Sequence, residues 1–133
     1  MRKTLFLSFA LLAAFGACGG GGDGGGASGD VEMIEGQIFQ PDTLTVQAGD
    51  SITFVNVSNE THTVTAYDEE IPEGATYFAS GDFASEEEAR ADLSGGLIDP
   101  DETYEIVLDE PGTYGYFCIP HEGAEMTGEI VVE

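Results

Sequence analysis

The sequence has very few basic residues: three Lys or Arg stand against 26 Asp or Glu, and the formal net charge is −23. This shortage excludes nucleic acid as a partner, because no basic patch exists to neutralise phosphates. It also disfavours electrostatic docking on anionic lipid. Repulsion among so many like charges weakens as salt rises, so we expect a protein adapted to a high-salt environment.

The chain also has too few residues for two domains of ordinary size, since its length is 133. The hydrophobic fraction is nevertheless 41%, with eight Phe and five Tyr. That content is too high for a disordered acidic segment. We therefore expect one folded domain with a hydrophobic core.

The hydrophobic run at the N-terminus, residues 5–15, is only eleven residues long, which is too short for a membrane-spanning helix. It follows Arg2 and Lys3 and precedes two small residues, an arrangement typical of an export signal. The small residues end at Cys18, which resembles the bacterial lipoprotein signal, where this cysteine becomes the lipidated first residue. We therefore predict a lipoprotein-type signal peptide over residues 1–17. The alternative is a plain secretory signal cut nearby.

A glycine-rich stretch follows the predicted signal. Residues 19–30 contain eight glycines and no large apolar side chain, so we expect them to behave as flexible coil. The lipidated Cys18 and this stretch, residues 18–30, would then tether a folded domain, residues 31–133, to a membrane. We expect the protein to be exported and anchored at the periplasmic or cell-surface face of that membrane.

The folded part is predicted to be all-β, because hydrophobic residues alternate with polar ones from residue 42 onward. The alternating positions are Leu44, Val46, Ile52, Phe54, His62, Val64, Ala66, Tyr104, Ile106, Leu108, Tyr114, Tyr116, Cys118, Ile130 and Val132. The alternation changes phase at Val55, which predicts a β-bulge. Short strands separated by turn signals indicate an antiparallel β-sandwich.

One short helix is predicted inside a segment that interrupts the strands, residues 68–100. Ser85 followed by three glutamates, residues 86–88, fits a capping box with an acidic first turn. The glycine pair at residues 95–96 is predicted to end this helix.

Cysteine and histidine are scarce, with two of each in the whole chain. Cys18 belongs to the predicted signal, which leaves Cys118 without a disulfide partner in an exported protein. His121 and Met126 follow it in a Cys-x2-His-x4-Met pattern. The other histidine, His62, is predicted to point inward from a strand, as Cys118 does, while His121 lies in a loop.

One thiolate, two imidazoles and a thioether form the donor set of a type 1 copper site. The candidate metal ligands are therefore His62, Cys118, His121 and Met126, with one copper cycling between Cu(I) and Cu(II). Zinc is the alternative metal, because cysteine and histidine also bind it.

Two segments resemble plastocyanins and halocyanins. Residues 112–133 read GTYGYFCIPHEGAEMTGEIVVE, which is similar to the C-terminal copper loop of these proteins, and residues 62–72 resemble the segment around their first copper histidine. The resemblance implies a cupredoxin fold, a Greek-key β-sandwich, with the same four ligands. Thr63 and Ile119 stand where plastocyanins usually have asparagine and a hydroxyl residue, and Phe117 replaces the tyrosine of the plant proteins.

These features predict a monomeric electron-transfer protein that exchanges single electrons with redox protein partners. An extracytoplasmic copper-delivery or buffering protein is the alternative, although three Met and two His leave no second cluster of metal-binding residues. A copper enzyme is not expected, because oxidases and nitrite reductases need a second copper with further histidines.

Overall fold

A computed structural model of the chain describes residues 29–133. The predicted signal peptide, Cys18 and nearly all of the predicted linker lie outside the described residues. The described part contains eight strands: β1 Val31–Ile34, β2 Ile38–Gln40, β3 Thr43–Val46, β4 Ser51–Asn56, β5 Thr65–Ala66, β6 Thr103–Val107, β7 Gly112–Phe117 and β8 Thr127–Val132. The all-β prediction is confirmed.

The strands form two four-stranded sheets, in the orders β2-β1-β4-β6 and β3-β8-β7-β5. Two neighbouring pairs, β1 with β4 and β3 with β8, are parallel, so the prediction of an antiparallel sandwich is wrong for these two pairs. The chain changes sheets repeatedly between β2 and β7, and such crossover connections allow parallel neighbours where hairpins do not. Alternation of hydrophobic and polar residues along a strand shows which face of the strand is buried. It does not show whether the neighbouring strand runs parallel or antiparallel.

The core lies between the two sheets and is centred on Tyr116. Its ring meets Phe39 and Phe54 edge to face, with centroid distances of 4.8 and 5.4 Å. The predicted inward positions of β4, β7 and β8 are buried in this core, as is Ile106 of β6, whereas Tyr104 of β6 and both Leu44 and Val46 of β3 are only partly buried against it. The unpredicted strands β1 and β2 complete it with Val31, Met33 and Phe39.

The predicted bulge at Val55 is wrong, since β4 and β6 pair in an unbroken register from Ser51 to Val55. Val55 is fully buried on the other face of the sheet, and Gly29 lies against its side chain. The Asp30 N–H donates to the Thr53 carbonyl at 2.8 Å, which fixes the chain next to Gly29. The change of phase in the hydrophobic pattern therefore means that both faces of β4 are covered at Phe54 and Val55.

The segment over residues 68–100 contains the predicted helix, α1, Glu86–Ala91. The Ser85 side chain accepts from the Glu88 N–H at 3.2 Å, as an N-cap does. The helix ends earlier than predicted, because the Asp92 side chain accepts from the Gly95 N–H at 3.1 Å and opens a 3₁₀ helix, Leu93–Gly96. Two further 3₁₀ helices span Asp68–Glu70 and Ile119–Ala124. No helix in this described part of the chain is long and apolar enough to cross a membrane.

Candidate metal centre

The thiol and the two imidazoles of the predicted site come from different local structures. His62 forms an isolated bridge with Ile98, through backbone hydrogen bonds of 3.1 and 2.7 Å. Cys118 follows the last residue of β7, and His121 lies at a kink within the 3₁₀ segment Ile119–Ala124, where its own backbone is not helical, with φ −120° and ψ 17°. The prediction that His62 and Cys118 lie on strands is therefore wrong in detail, because strand pairing ends just before the site.

The fold brings these donors together at one end of the sandwich. The ligand atoms of His62, Cys118 and His121 all lie within 4.8 Å of one another. The Cys118 Sγ is 3.3 Å from Nδ1 of His121 and 3.7 Å from Nδ1 of His62, and the two Nδ1 atoms are 3.1 Å apart. Cys118 and His62 are fully buried, and His121 is half-buried. This spacing lets one metal ion contact all three donors.

Met126 closes the loop that carries two of these donors. The Cys118 N–H donates to the Met126 carbonyl at 3.0 Å, and the Met126 N–H donates to the His121 carbonyl at 3.3 Å. Glu125 turns the chain in the left-handed conformation, with φ 59°. Met126 is buried, and these backbone bonds place it next to Cys118 and His121, so all four predicted residues lie in one region.

Burial is the largest influence on the pKa values of two donors in this site, Cys118 and His62. Desolvation raises the pKa of the Cys118 thiol, and the N–H of Thr63 opposes that effect by donating to Sγ at 3.3 Å. Burial also lowers the pKa of His62, and the neighbouring His121 lowers it further. A neutral imidazole at His62 and a thiol that a cation can convert to thiolate are donors suited to a soft metal.

The comparisons with known proteins agree with this donor set. The model of copper binding proteins of the plastocyanin/azurin family matches residues 28–133. The chain belongs to this copper-binding family. Its cofactor is therefore copper, and the zinc alternative is not supported.

Plastocyanins are prominent among its relatives. Plastocyanin B'/B'' of Nicotiana tabacum is 42% identical over 97 residues, which cover 73% of this chain and 89% of the relative. Plastocyanin of Lactuca sativa is 39% identical over 97 residues with the same coverage, 73% and 89%. The chain is thus a plastocyanin-like member of the family.

Solved structures show the same fold. The oxidized plastocyanin from Dryopteris crassirhizoma superposes with a TM-score of 0.56 at 26% identity, covering 77% of this chain and 98% of that one. A purple cupredoxin from Nitrosopumilus maritimus, at 18% identity, gives the same TM-score of 0.56 over 77% of this chain and 97% of that one. The predicted cupredoxin sandwich is confirmed.

The departure from plastocyanins at Thr63 and Ile119 has a structural explanation. The Thr63 hydroxyl accepts from the Ile119 N–H at 2.8 Å and lies 3.1 Å from the Thr65 hydroxyl. Thr63 therefore joins the His62 segment to the metal loop twice, through its own N–H to Cys118 Sγ and through its hydroxyl. The partner of that hydroxyl is a backbone N–H, so the side chain at residue 119 needs no hydroxyl.

Replacing Thr63 by valine is expected to lower the free energy of unfolding by about 1–3 kcal/mol, because the Ile119 N–H loses its acceptor in a covered position. Thr63→Ser keeps the hydroxyl and should lose much less. Denaturant unfolding of the three proteins measures the difference. Equal stability of Thr63→Val and wild type would contradict the assignment of this contact.

Arg90 is a neighbour of the site that sequence reasoning missed. It is the sole Lys or Arg in residues 29–133, and its guanidinium lies 4.4 Å from the ring centroid of Phe117. It also pairs with Glu86 at 2.8 Å and with Glu122 at 2.7 Å. Arg90 holds the pKa of Glu122 below its usual range. Its isolation among so many acids is the sequence signal that could have identified it.

Proposed function

We propose that the chain is a type 1 blue copper electron carrier that holds one copper. The proposed ligands are His62, Cys118, His121 and Met126. The observation that carries the proposal is the set of three donor atoms within 4.8 Å of one another, in a chain of a copper-binding family. Two imidazoles, a thiolate and a weak axial thioether are the ligands of blue copper electron-transfer sites.

Rigidity of the site supports electron transfer. His62 is tied to Ile98, Thr63 is tied to the loop at Ile119, and the backbone of Met126 bonds to both sides of that loop. A metal held by groups that are fixed in this way changes its oxidation state with little movement of its ligands. Rapid exchange of single electrons is the consequence.

The surface beside His121 is the proposed port for electrons. Pro120, Gly123 and Ala124 are exposed around the half-buried imidazole, while Cys118 and His62 are covered. Small and apolar neighbours let a redox protein approach the imidazole edge closely. We propose that other redox proteins are the donors and acceptors at this surface.

Two features distinguish a carrier from the alternatives. The copper-delivery alternative needs accessible ligands that release the metal, whereas Cys118 and His62 are fully buried. Both histidines of the chain are used in the proposed site, so neither serves a second copper of an oxidase or reductase. We propose that the protein transfers electrons without turning over a substrate.

The proposed location is outside the cytoplasmic membrane. Its support is the N-terminal sequence, which predicts an export signal over residues 1–17, lipidation of Cys18 and a linker over residues 18–30. A monomeric domain on such a tether could turn toward successive partners while staying near the membrane.

Electron self-exchange between the Cu(I) and Cu(II) forms tests both the carrier function and the port. Ala124→Glu places a charge in the port and is expected to slow exchange by about tenfold, the low end of the effects that local charge has on association rates. The control is Ala48→Glu, because residue 48 is exposed and hydrogen-bonded to the chain terminus at Glu133, near the end of β8 that is remote from the metal loop.

NMR line broadening in mixtures of the two oxidation states measures the exchange rate, and the visible spectrum should be unchanged in both variants. Equal slowing by the two substitutions would place the port elsewhere. Undetectable exchange in the wild type, together with ready loss of copper to a chelator, would support the delivery alternative.

A further inference from the structure

A buried polar network surrounds the outer nitrogen of His62, on the side away from Cys118. The Ser58 Oγ lies 2.8 Å from His62 Nε2 and 2.8 Å from Asn56 Oδ1. Asn56 and His62 are fully buried, and Ser58 is 5% exposed. Buried polar atoms in contact have complementary donor and acceptor roles. The role of each side-chain atom in this network can therefore be inferred from the backbone groups that it contacts, because their roles are fixed.

The orientation of the Asn56 amide is determined by backbone groups. Its nitrogen lies 2.7 Å from the Glu60 carbonyl and 2.9 Å from the Ile98 carbonyl, which can only accept. Its oxygen lies 3.0 Å from the Ser58 N–H, which can only donate. The reverse orientation would set acceptor against acceptor and donor against donor, so the Asn56 oxygen faces Ser58.

The direction of the next two hydrogen bonds follows. The Asn56 oxygen, 2.8 Å from the Ser58 hydroxyl, and the Glu60 carbonyl, 3.3 Å from it, can only accept, so the hydroxyl directs its single hydrogen to these acceptors, of which Asn56 is the nearer. The Ser58 oxygen is left as an acceptor, and it accepts from the Glu60 N–H at 3.2 Å and from Nε2–H of His62 at 2.8 Å. A neutral imidazole carries one N–H, so Nδ1 keeps its lone pair. That lone pair is on the atom 3.7 Å from Cys118 Sγ.

We propose that Ser58 is a positioning residue for His62, which sets the Nε2–H tautomer and aims Nδ1 at the metal before metal binds. The part of this proposal that concerns metal binding rests on the proposed function. Partners on the outer nitrogen of ligating histidines orient the ring and raise metal affinity. The Ile98 carbonyl adds to the alignment, since it accepts from both the His62 N–H and the Asn56 amide.

The test uses the full chain, first without metal. Nitrogen-15 NMR of the imidazoles at neutral pH is expected to show His62 as the Nε2–H tautomer, with a proton that exchanges slowly with water. Ser58→Ala should give fast exchange of that proton or a mixture of tautomers. Copper affinity should fall about tenfold, the lower end of such effects, and Ser58→Thr should restore both properties.

Ser80→Ala is the matched control. Ser80 is also buried, and its hydroxyl accepts from the Val64 N–H at 3.1 Å and donates to the Gly96 carbonyl at 2.6 Å. This variant should lose stability while keeping the His62 tautomer and the copper affinity of the wild type. An equal change in both alanine variants would mean that Ser58 acts only through general stability.

The nitrogen-15 NMR spectrum of the wild type tests the proposal even if a variant does not fold. An Nδ1–H tautomer of His62 in the protein without metal overturns the proposal. Unchanged exchange and affinity in a folded Ser58→Ala protein overturn it as well, while a blue Cu(II) form of that variant leaves the electron-carrier function standing. A wild type that forms no blue Cu(II) complex rejects the carrier function, and the tautomer still reports on Ser58.

Discussion

Replacing Cys118 by serine is expected to abolish the intense visible colour of the Cu(II)-loaded protein. The colour of a blue copper site requires a thiolate bound to Cu(II), and Cys118 is the free cysteine of the described residues. Its Sγ lies 3.3 and 3.7 Å from the two imidazole nitrogens. A serine hydroxyl at this place offers no soft, charged donor at neutral pH.

Absorption spectroscopy after Cu(II) addition measures this effect, and a reductant should bleach the wild-type band by forming Cu(I). Met126→Gln is the contrasting variant. It replaces the proposed weak axial thioether with an oxygen donor, so the colour should remain while the reduction potential falls. An equally intense band in Cys118→Ser, or a colourless wild type, would reject the type 1 assignment.

The folded state is expected to gain stability as NaCl rises from 0.01 to 1 M. Residues 29–133 carry 25 carboxylic acids and a single arginine. That arginine, Arg90, is already paired with two glutamates. Charge repulsion therefore acts across the whole domain when the Debye length is about 30 Å, and it is largely screened when that length is about 3 Å.

Thermal unfolding at several salt concentrations measures the gain, and for a domain of this size each 1 kcal/mol raises the midpoint by roughly 4–8 °C. Salt also acts through preferential exclusion from the surface, so a variant with fewer charges is needed. The triple variant Glu69→Gln, Glu105→Gln and Glu110→Gln changes exposed residues. It should have a higher midpoint at low salt and a smaller dependence on salt. A salt dependence equal to that of the wild type would show that repulsion is not the cause.

The strands that sequence reasoning identified share a property, which is a repeated pattern long enough to reveal a face. Tyr114, Tyr116 and Ile130 follow this pattern and are buried as predicted. The pattern could not identify β2, since its three residues hold one buried position. Nor could it distinguish a bulge at Val55 from a second covered face, because the covering segment at Gly29 is distant in sequence.

The proposed donor set of the metal centre follows from the sequence alone. Cys118, His121 and Met126 are held together by the loop that spaces them, and a soft metal is the reason for an unpaired thiol beside an imidazole. Only the fold places His62 next to them. Because the chain has just two histidines, His62 was nevertheless the expected fourth ligand.

Only the tertiary structure decided how these ligands are held. The Thr63 hydroxyl bonds to the N–H of Ile119, 56 positions away, and the amide of Asn56 bonds to the carbonyl of Ile98, 42 positions away. No local sequence pattern predicts such contacts, because the sequence does not show which polar side chains the fold will bury. Once buried, each donor and acceptor must find a partner or destabilise the fold. Tertiary packing of the two sheets and of the segment over residues 68–100 therefore determines these hydrogen-bond partners. The partners in turn orient the side chains of the site.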